Sequence, residues 1–232
     1  MKTDPLPRAL LDELRHIDAC TVANAIETFD VRLRNVGFAG CGVRGIFDGF
    51  PPLVGFAATA RIRTSEPPME GRCYHERTDW WDHILSIPEP RIVVVQDIDK
   101  HPGLGSFVGE VHANIFLGLG CIGLVTNGAA RDLTAVRAAG FQLFAGCVSV
   151  SHAYAHIFDF GGAVEVGRMR VQPGDLLHGD MHGVQTVPLE IAKKIPGAAR
   201  QILENEQRLI ALCHSADFTV EKLRGEVKKS CR

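Results

Sequence analysis

The sequence predicts an α/β fold, and three observations predict it. Two short β-branched runs, RIVVVQDI (91–98) and IGLVT (122–126), suit buried strands. Segments with apolar residues at helical spacing follow each of them, and FQLFAGC (141–147) returns as a third strand. This alternation implies right-handed crossovers over a parallel sheet. After Gly146 the pattern changes to short strands with turn signals, so a β-rich part follows the α/β part.

In chain order, residues 7–29 read as helix in two pieces. Ala9, Leu10, Leu11, Leu14 and Ile17 give the first apolar face, and Thr21 is a candidate cap for the second piece. Residues 31–52 are rich in Gly and Pro and read as loop, VGFAATARIR (54–63) as a strand, and 65–79 as a polar loop. DWWDHILSI (79–87) is a short helix; Trp80, Trp81 and Tyr74 either line a substrate mouth beside the loop or simply pack. Val108, Val111, Ile115 and Leu119 mark a helix over 107–119. NGAARD is a turn, and LTAVRAAG (133–140) a short helix closed by Gly140. AVEVGRMRV reads as a hairpin, QPGD as a turn and GVQTVP as a last strand. Residues 189–212 form an amphipathic helix interrupted at Pro196, and the tail ending EVKKSCR reads as loose. One domain over 1–232, with helical arms, is the simplest organisation.

The 232 residues can bury a sizeable core, and 46% hydrophobic with 22% charged residues is ordinary for a globular protein. A net charge of −2 without a basic block gives no footprint for nucleic acid. No apolar run approaches a membrane span. MKTDPLPRALLDELR carries charges where a signal peptide needs an apolar stretch, so a cytoplasmic location is expected. The seven cysteines are odd in number and include no C-x-x-C, against a disulfide framework or a zinc knuckle.

GLGCIGLVTNGAARD (118–132) poses the functional question. Gly118, Gly120 and Gly123 spell G-x-G-x-x-G. A dinucleotide cradle needs those glycines after a strand and before a helix. Here a helix precedes and a strand follows, so they read as a helix C-cap. The same argument weakens a glycine-rich cofactor loop for a methyltransferase. The other end is more promising. The strand IGLVT ends at Arg131-Asp132, where open α/β sheets bind ligands. The pair could hold an anion and a metal, or Asp132 could simply cap the next helix with Arg131 in solvent. On spacing alone the plain turn is favoured. A second anion site is readable at the helix entered by GSFVGEVH (105–112), whose early N–H groups favour negative charge.

GEVHANIFLGLGCIGLVTNGAARDLTAVRAAGFQLFA, followed by VQPGDLLHGDMHGVQTVP, resembles the RraA-like family. That family holds the 4-hydroxy-4-methyl-2-oxoglutarate / 4-carboxy-4-hydroxy-2-oxoadipate aldolases and the RraA regulators of ribonuclease E. The resemblance runs from about residue 18 to 188, and more weakly through an arm over 189–216. It implies a swivelling β/β/α fold, like phosphohistidine domains, with N- and C-terminal helical arms. It implies trimers or dimers of trimers with the site between subunits. It implies that Arg131 holds substrate oxygens, that Asp132 binds Mg²⁺ or Mn²⁺ largely through waters, and that the backbone of Gly109, Glu110, Val111 and His112 holds a pyruvyl carboxylate. A glutamate of the neighbouring subunit's C-terminal region is implied to position a water; ENEQR offers Glu204 or Glu206. The chain departs from the aldolases in having Asn127-Gly128 where they usually have Asp-Gly, in SHAYAHIFDFGG (151–162), and in lacking a Tyr-Gly ending.

The implied activity is a metal-dependent retro-aldol cleavage of a short 4-hydroxy-2-oxo dicarboxylic acid, with oxaloacetate decarboxylation through the same enolate. Its alternative is a non-catalytic regulator that binds a ribonuclease or another protein. One carboxylate suffices for a hard cation that keeps its waters, and an arginine offers forked donors to an oxyanion. His152 and His156, like His178 and His182, are four apart and invite a zinc hypothesis. Gly179 and Gly183 place the second pair in a turn between strands, so hydrogen-bonded or surface histidines are the favoured reading.

Overall fold

The computed structural model describes residues 6–68 and 77–230. Tyr74, one of the candidate mouth residues, lies outside the described residues. The N-terminal helix is two pieces, α1 (Arg8–Leu14) and α2 (Ala19–Glu27). Asp18, not Thr21, caps α2: its carboxylate accepts the Thr21 N–H at 2.9 Å and the Thr21 hydroxyl at 2.6 Å. The segment read as loop contains β1 (Arg44–Gly45), and β2 (Leu53–Arg63) follows. Then come α3 (Asp79–Ser86) and β3 (Arg91–Asp97). The helix expected from 107 begins later: β4 (Ser106–Val108) takes its first residues, and α4 spans Glu110–Gly118. β5 (Cys121–Thr126), β6 (Ala129–Ala130), α5 (Leu133–Ala138), β7 (Gln142–Ala145) and β8 (Cys147–Val148) complete the alternating part.

The β-rich part holds β9 (His156–Phe160), the hairpin β10 (Val164–Val166) and β11 (Met169–Val171), and the hairpin β12 (Leu176–Asp180) and β13 (Gly183–Val187). A 3₁₀ turn leads into α6 (Ile195–Cys213). Pro196 does not interrupt this helix. It sits in the first turn, where a missing N–H costs nothing. The tail read as loose forms α7 (Val220–Ser230), packed on α6.

The main sheet runs β1-β7-β5-β3-β2-β12-β13, with β9 also on β2. Its centre is parallel (β2, β3, β5, β7) and its flanks antiparallel. The end strands β1 and β13 touch, so the sheet curls almost closed. Both faces are covered, which is why the strands read as unbroken apolar runs. Val54, Phe56, Ala58, Ala60 and Ile62 of β2, with Val93 and Val95 of β3, face the helices. Leu53, Ala57, Ile92 and Val94 face the β10–β11 hairpin. No helix among the described residues is long and apolar enough to cross a membrane.

The strands β3, β5 and β7 are each followed, beyond their C-terminal ends, by one strand of a second parallel sheet, β4-β6-β8. Asn127 stands at this seam. Its Oδ1 accepts the Asp97 N–H at 2.8 Å and its Nδ2 donates to the Asp97 carbonyl at 2.9 Å. An aspartate at 127 would lose the donor and set a second carboxylate beside Asp97. Asp97 is only 1% exposed, and burial already pushes its carboxyl pKa up.

The stretch LHGDMHG is not merely a turn: most of it is strand, and the turn falls at Met181-His182. His178 points inward, fully buried, with Nε2 at 3.1 and 3.0 Å from the carbonyls of Leu14 and Ile17. Two acceptors at one nitrogen require the Nε2–H tautomer. Asp180 accepts the Ala19 N–H at 2.8 Å, and Gln185 donates to the Ala19 carbonyl at 2.7 Å. One β-hairpin therefore fastens the α1–α2 corner by three side chains. His182 bonds Asp180, while the rings of His152 and His156 bond the carbonyls of Ala153 and Tyr154. Among the described residues no group of three or more His, Cys, Asp or Glu is arranged to hold a metal.

Burial depresses the pKa of His178 and of His83 below the ordinary imidazole value of 6.5. Below that pH the unfolded chain takes up protons that the folded chain resists. Stability is then full above about pH 6.5 and falls as the pH drops through the window beneath it. The thermal midpoint is expected to fall between about pH 7 and about pH 5, with a shallower slope in His178→Gln; an identical slope in the variant would remove His178 as a cause. Asn127→Asp is expected to cost about 1–3 kcal/mol in urea denaturation, through the lost donor and the added half-buried carboxylate.

Candidate active site

The site grows out of the second sheet. Val108 on β4 and Ala130 on β6 are paired, and the Arg131 N–H donates to the Val108 carbonyl at 3.0 Å. Two turns therefore lie side by side. One passes through Gly109 into α4, and the other passes through Arg131-Asp132 into α5.

Asp132 precedes α5 in the left-handed conformation, φ 53° and ψ 36°. Aspartate is among the few non-glycine residues that visit this region readily. Its carboxylate does not cap α5, as the plain-turn reading required. Instead Oδ2 accepts the N–H of Glu110, the first residue of α4, at 3.1 Å. The acid thus serves the helix dipole of a neighbouring element. Arg131 Nε lies 3.5 Å from the same oxygen. Neither side chain is buried away: Arg131 is 32% and Asp132 41% exposed.

Gly109 makes this packing possible. A Cβ there would come closer to Asp132 Oδ2 than the 3.0 Å that real Cβ atoms keep, and would press on the Arg131 side chain at 3.1 Å. The glycine is required by close approach, with an ordinary extended φ of −140°.

A groove of about 380 Å³ opens between the 130–133 turn and residues 148–150. One wall carries Arg131 and Asp132; the other carries Val148, Ser149 and Val150. The Ser149 hydroxyl is already engaged with the carbonyls of Leu104 and Ser151, both at 3.3 Å. Residues 148–150 were not singled out from sequence. The sequence carries one signal for them, a valine–serine–valine run; in the structure the run leaves the end of β8 and its valines stand 58% and 98% exposed.

The other expected site residues fall as follows. Glu110 and Val111 are exposed on the first turn of α4, whose amides precede any helical acceptor. The His112 ring is stacked on Phe107 and Phe116, with centroids 5.0 and 5.7 Å away. Glu204 and Glu206 are exposed on α6, which packs against α1, α2 and α7. The structure therefore brings together Gly109, Glu110, Arg131 and Asp132, and carries the two glutamates on a different element. Trp80 is buried against Phe107 and Phe116, so it packs rather than lining a mouth.

The glycine run is resolved as well. Gly118 ends α4, and Gly120, at φ 73°, turns the chain into β5. A Cβ on Gly120 would meet the Arg91 guanidinium at 2.6 Å, and one on Gly123 the Gln142 carbonyl at the same distance. These glycines serve a helix-to-strand joint and a tight strand pairing, not a phosphate.

The donor set suits a hard divalent cation. An oxygen ligand in an open groove, steadied by a backbone N–H, leaves most of the coordination sphere to water and substrate. An all-protein cage is not built among the described residues.

Comparison with known proteins agrees with this architecture. A protein from Pseudomonas syringae pv. tomato superposes with a TM-score of 0.74 at 22% identity, covering 97% of this chain and 96% of that one. RraAS2 of Streptomyces coelicolor, described as an unusual member of the RNase ES inhibitor RraA protein family, gives 0.69 at 20% identity over 88% and 97%. Protein DlpA of Legionella pneumophila is 20% identical over 97% of this chain, which spans about a third (35%) of that protein's length. Residues 19–185 match the family model RraA-like, described as Aldolase/RraA. With most of its length and its sheet topology accounted for in this way, the chain belongs to the RraA-like family.

Proposed function

We propose that the chain is a divalent-metal-dependent lyase that cleaves a short 4-hydroxy-2-oxo acid and releases pyruvate. Dicarboxylic acids of the kind the aldolases take are included, and oxaloacetate is decarboxylated at the same site. One observation carries this reading: Arg131 and Asp132 share one groove beside the α4 N-terminus, over a glycine that leaves them room.

Retro-aldol cleavage breaks the C3–C4 bond and leaves its electron pair on C3 as the pyruvate enolate. Mg²⁺ or Mn²⁺, when bound, supplies Lewis acidity to the oxo acid. Asp132 is the residue that would hold it. Arg131 offers forked N–H donors to the oxygen on which negative charge grows. Within Gly109 to His112 the Glu110 N–H is held by Asp132, and the backbone amides around it at the α4 entrance receive the carboxylate. The proton on the 4-hydroxyl leaves to a water, which we assign to Glu206 of the partner subunit in a trimer or dimer of trimers. Exposed apolar side chains near these turns, Leu104 at 59% and Val111 at 61%, support a covered surface there. The five described cysteines are free thiols, which supports a cytoplasmic setting.

The test is pyruvate release from oxaloacetate and from a panel of 4-hydroxy-2-oxo acids, with Mg²⁺, Mn²⁺ or EDTA. Turnover is expected to require the metal and to be lost in Asp132→Ala. Arg131→Ala should lower kcat by about 10²–10³-fold. Gly109→Ala should keep its circular dichroism yet lose most turnover, because Asp132 is displaced. A folded protein that releases no pyruvate from any substrate with either metal would refute the lyase. The weight would then pass to a non-catalytic regulator, a reading that the likeness to RraAS2 supports.

A further inference from the structure

Resting on the lyase reading, we infer that Leu133 and Val148 set the preferred substrate: a 4-hydroxy-2-oxo acid whose C4 carries alkyl groups is favoured over one with a second carboxylate. The groove has a polar end and an apolar remainder. Arg131, Asp132 and the α4 amides account for the carboxylate and the oxo group of the pyruvyl half. Apart from the water assigned to Glu206 of the partner subunit, what this chain offers the C4 end of a bound oxo acid is Ala130, Leu133, Val148, Ser149 and Val150. Four of these five side chains are apolar. The fifth, Ser149, spends its hydroxyl on backbone: the Leu104 and Ser151 carbonyls lie at 3.3 Å, and the Ser151 N–H at 3.4 Å.

A carboxylate pressed on such a wall loses water and gains no donor from it, which is unfavourable. A methyl in the same place gains about fourfold in binding for each methylene-sized group buried.

The test is a matched pair. 4-Hydroxy-4-methyl-2-oxopentanoate and 4-hydroxy-4-methyl-2-oxoglutarate share the pyruvyl half, the C4 hydroxyl and one C4 methyl; a second methyl in the first replaces a carboxylate-bearing position in the other. In both, the C3–C4 bond breaks with its electrons going to C3, the C4 hydroxyl proton leaves, and C3 is then protonated. The first yields pyruvate and acetone, the second two pyruvates. We expect kcat/KM with Mg²⁺ or Mn²⁺ to favour the monocarboxylate by at least about tenfold, the scale on which apolar pockets discriminate. Val148→Lys, at a position exposed enough to tolerate the change, should narrow or reverse that ratio by raising kcat/KM for the dicarboxylate. A wild-type preference for the dicarboxylate would overturn the inference while leaving the lyase standing. An unchanged ratio in Val148→Lys would also overturn it. Pyruvate from neither substrate, in a folded protein that decarboxylates oxaloacetate, would overturn the inference alone; no pyruvate from any of the three would overturn both.

Discussion

The bond from the Glu110 N–H to the Asp132 carboxylate is the interaction on which the site depends. It joins the entrance of one helix to the entrance of the next, across two turns brought level by the pairing of β4 with β6. Everything chemical about the groove follows from it. It orients one carboxylate oxygen and leaves the group's other side toward solvent. It also fixes where Arg131 can lie, since that guanidinium shares the oxygen. A carboxylate accepting from a helix N-terminus is favoured by about 0.3–1 kcal/mol through the dipole, which offsets part of the cost of about 1–3 kcal/mol for a residue held in the left-handed region. Strain at Asp132 and the bond it enables are thus two parts of one arrangement.

That arrangement sits on a slender support. The second sheet has strands of only two or three residues, far below the length that stabilises a sheet alone. It persists because it continues the main sheet, whose β3, β5 and β7 are buried on both faces. Asn127 secures the junction by bonding both backbone groups of Asp97, where β3 and β5 part. The division of labour is physical. The apolar main sheet supplies cooperativity, and the short extension supplies polar backbone and side chains near solvent.

Much of the fold was legible because burial writes a period into the chain. β2, β3 and β5, and the helices α2 and α3, announce themselves by apolar runs or a 3.6-residue repeat. The short strands β4, β6 and β8 were not legible, since two or three residues carry no period. The start of α4 was misplaced for that reason: Val108 fits the helical spacing and belongs to a strand. α7 was missed because none of its described residues is buried, so its pattern is dominated by charge. At the site, Arg131 and Asp132 were visible as residues, but spacing alone favoured an ordinary cap. The capping interaction is real and goes to α4 instead, a long-range contact that no local pattern encodes. Their chemical reading came from the resemblance, not from periodicity.

Asn127 shows how a departure from a family pattern can be structural. Its amide is the one side chain of that size able to accept from a backbone N–H and donate to a carbonyl of the same residue. Aspartate can only accept while ionised, so it would leave the Asp97 carbonyl without its donor and add a negative charge to the junction. A protonated aspartate could donate, yet holding that proton at neutral pH would itself cost free energy. Asparagine at this position therefore removes a charge conflict from the junction without touching the groove. The chemistry at Arg131-Asp132 can persist across that change, because what the groove needs from residue 127 is the position of β6, and the amide supplies it.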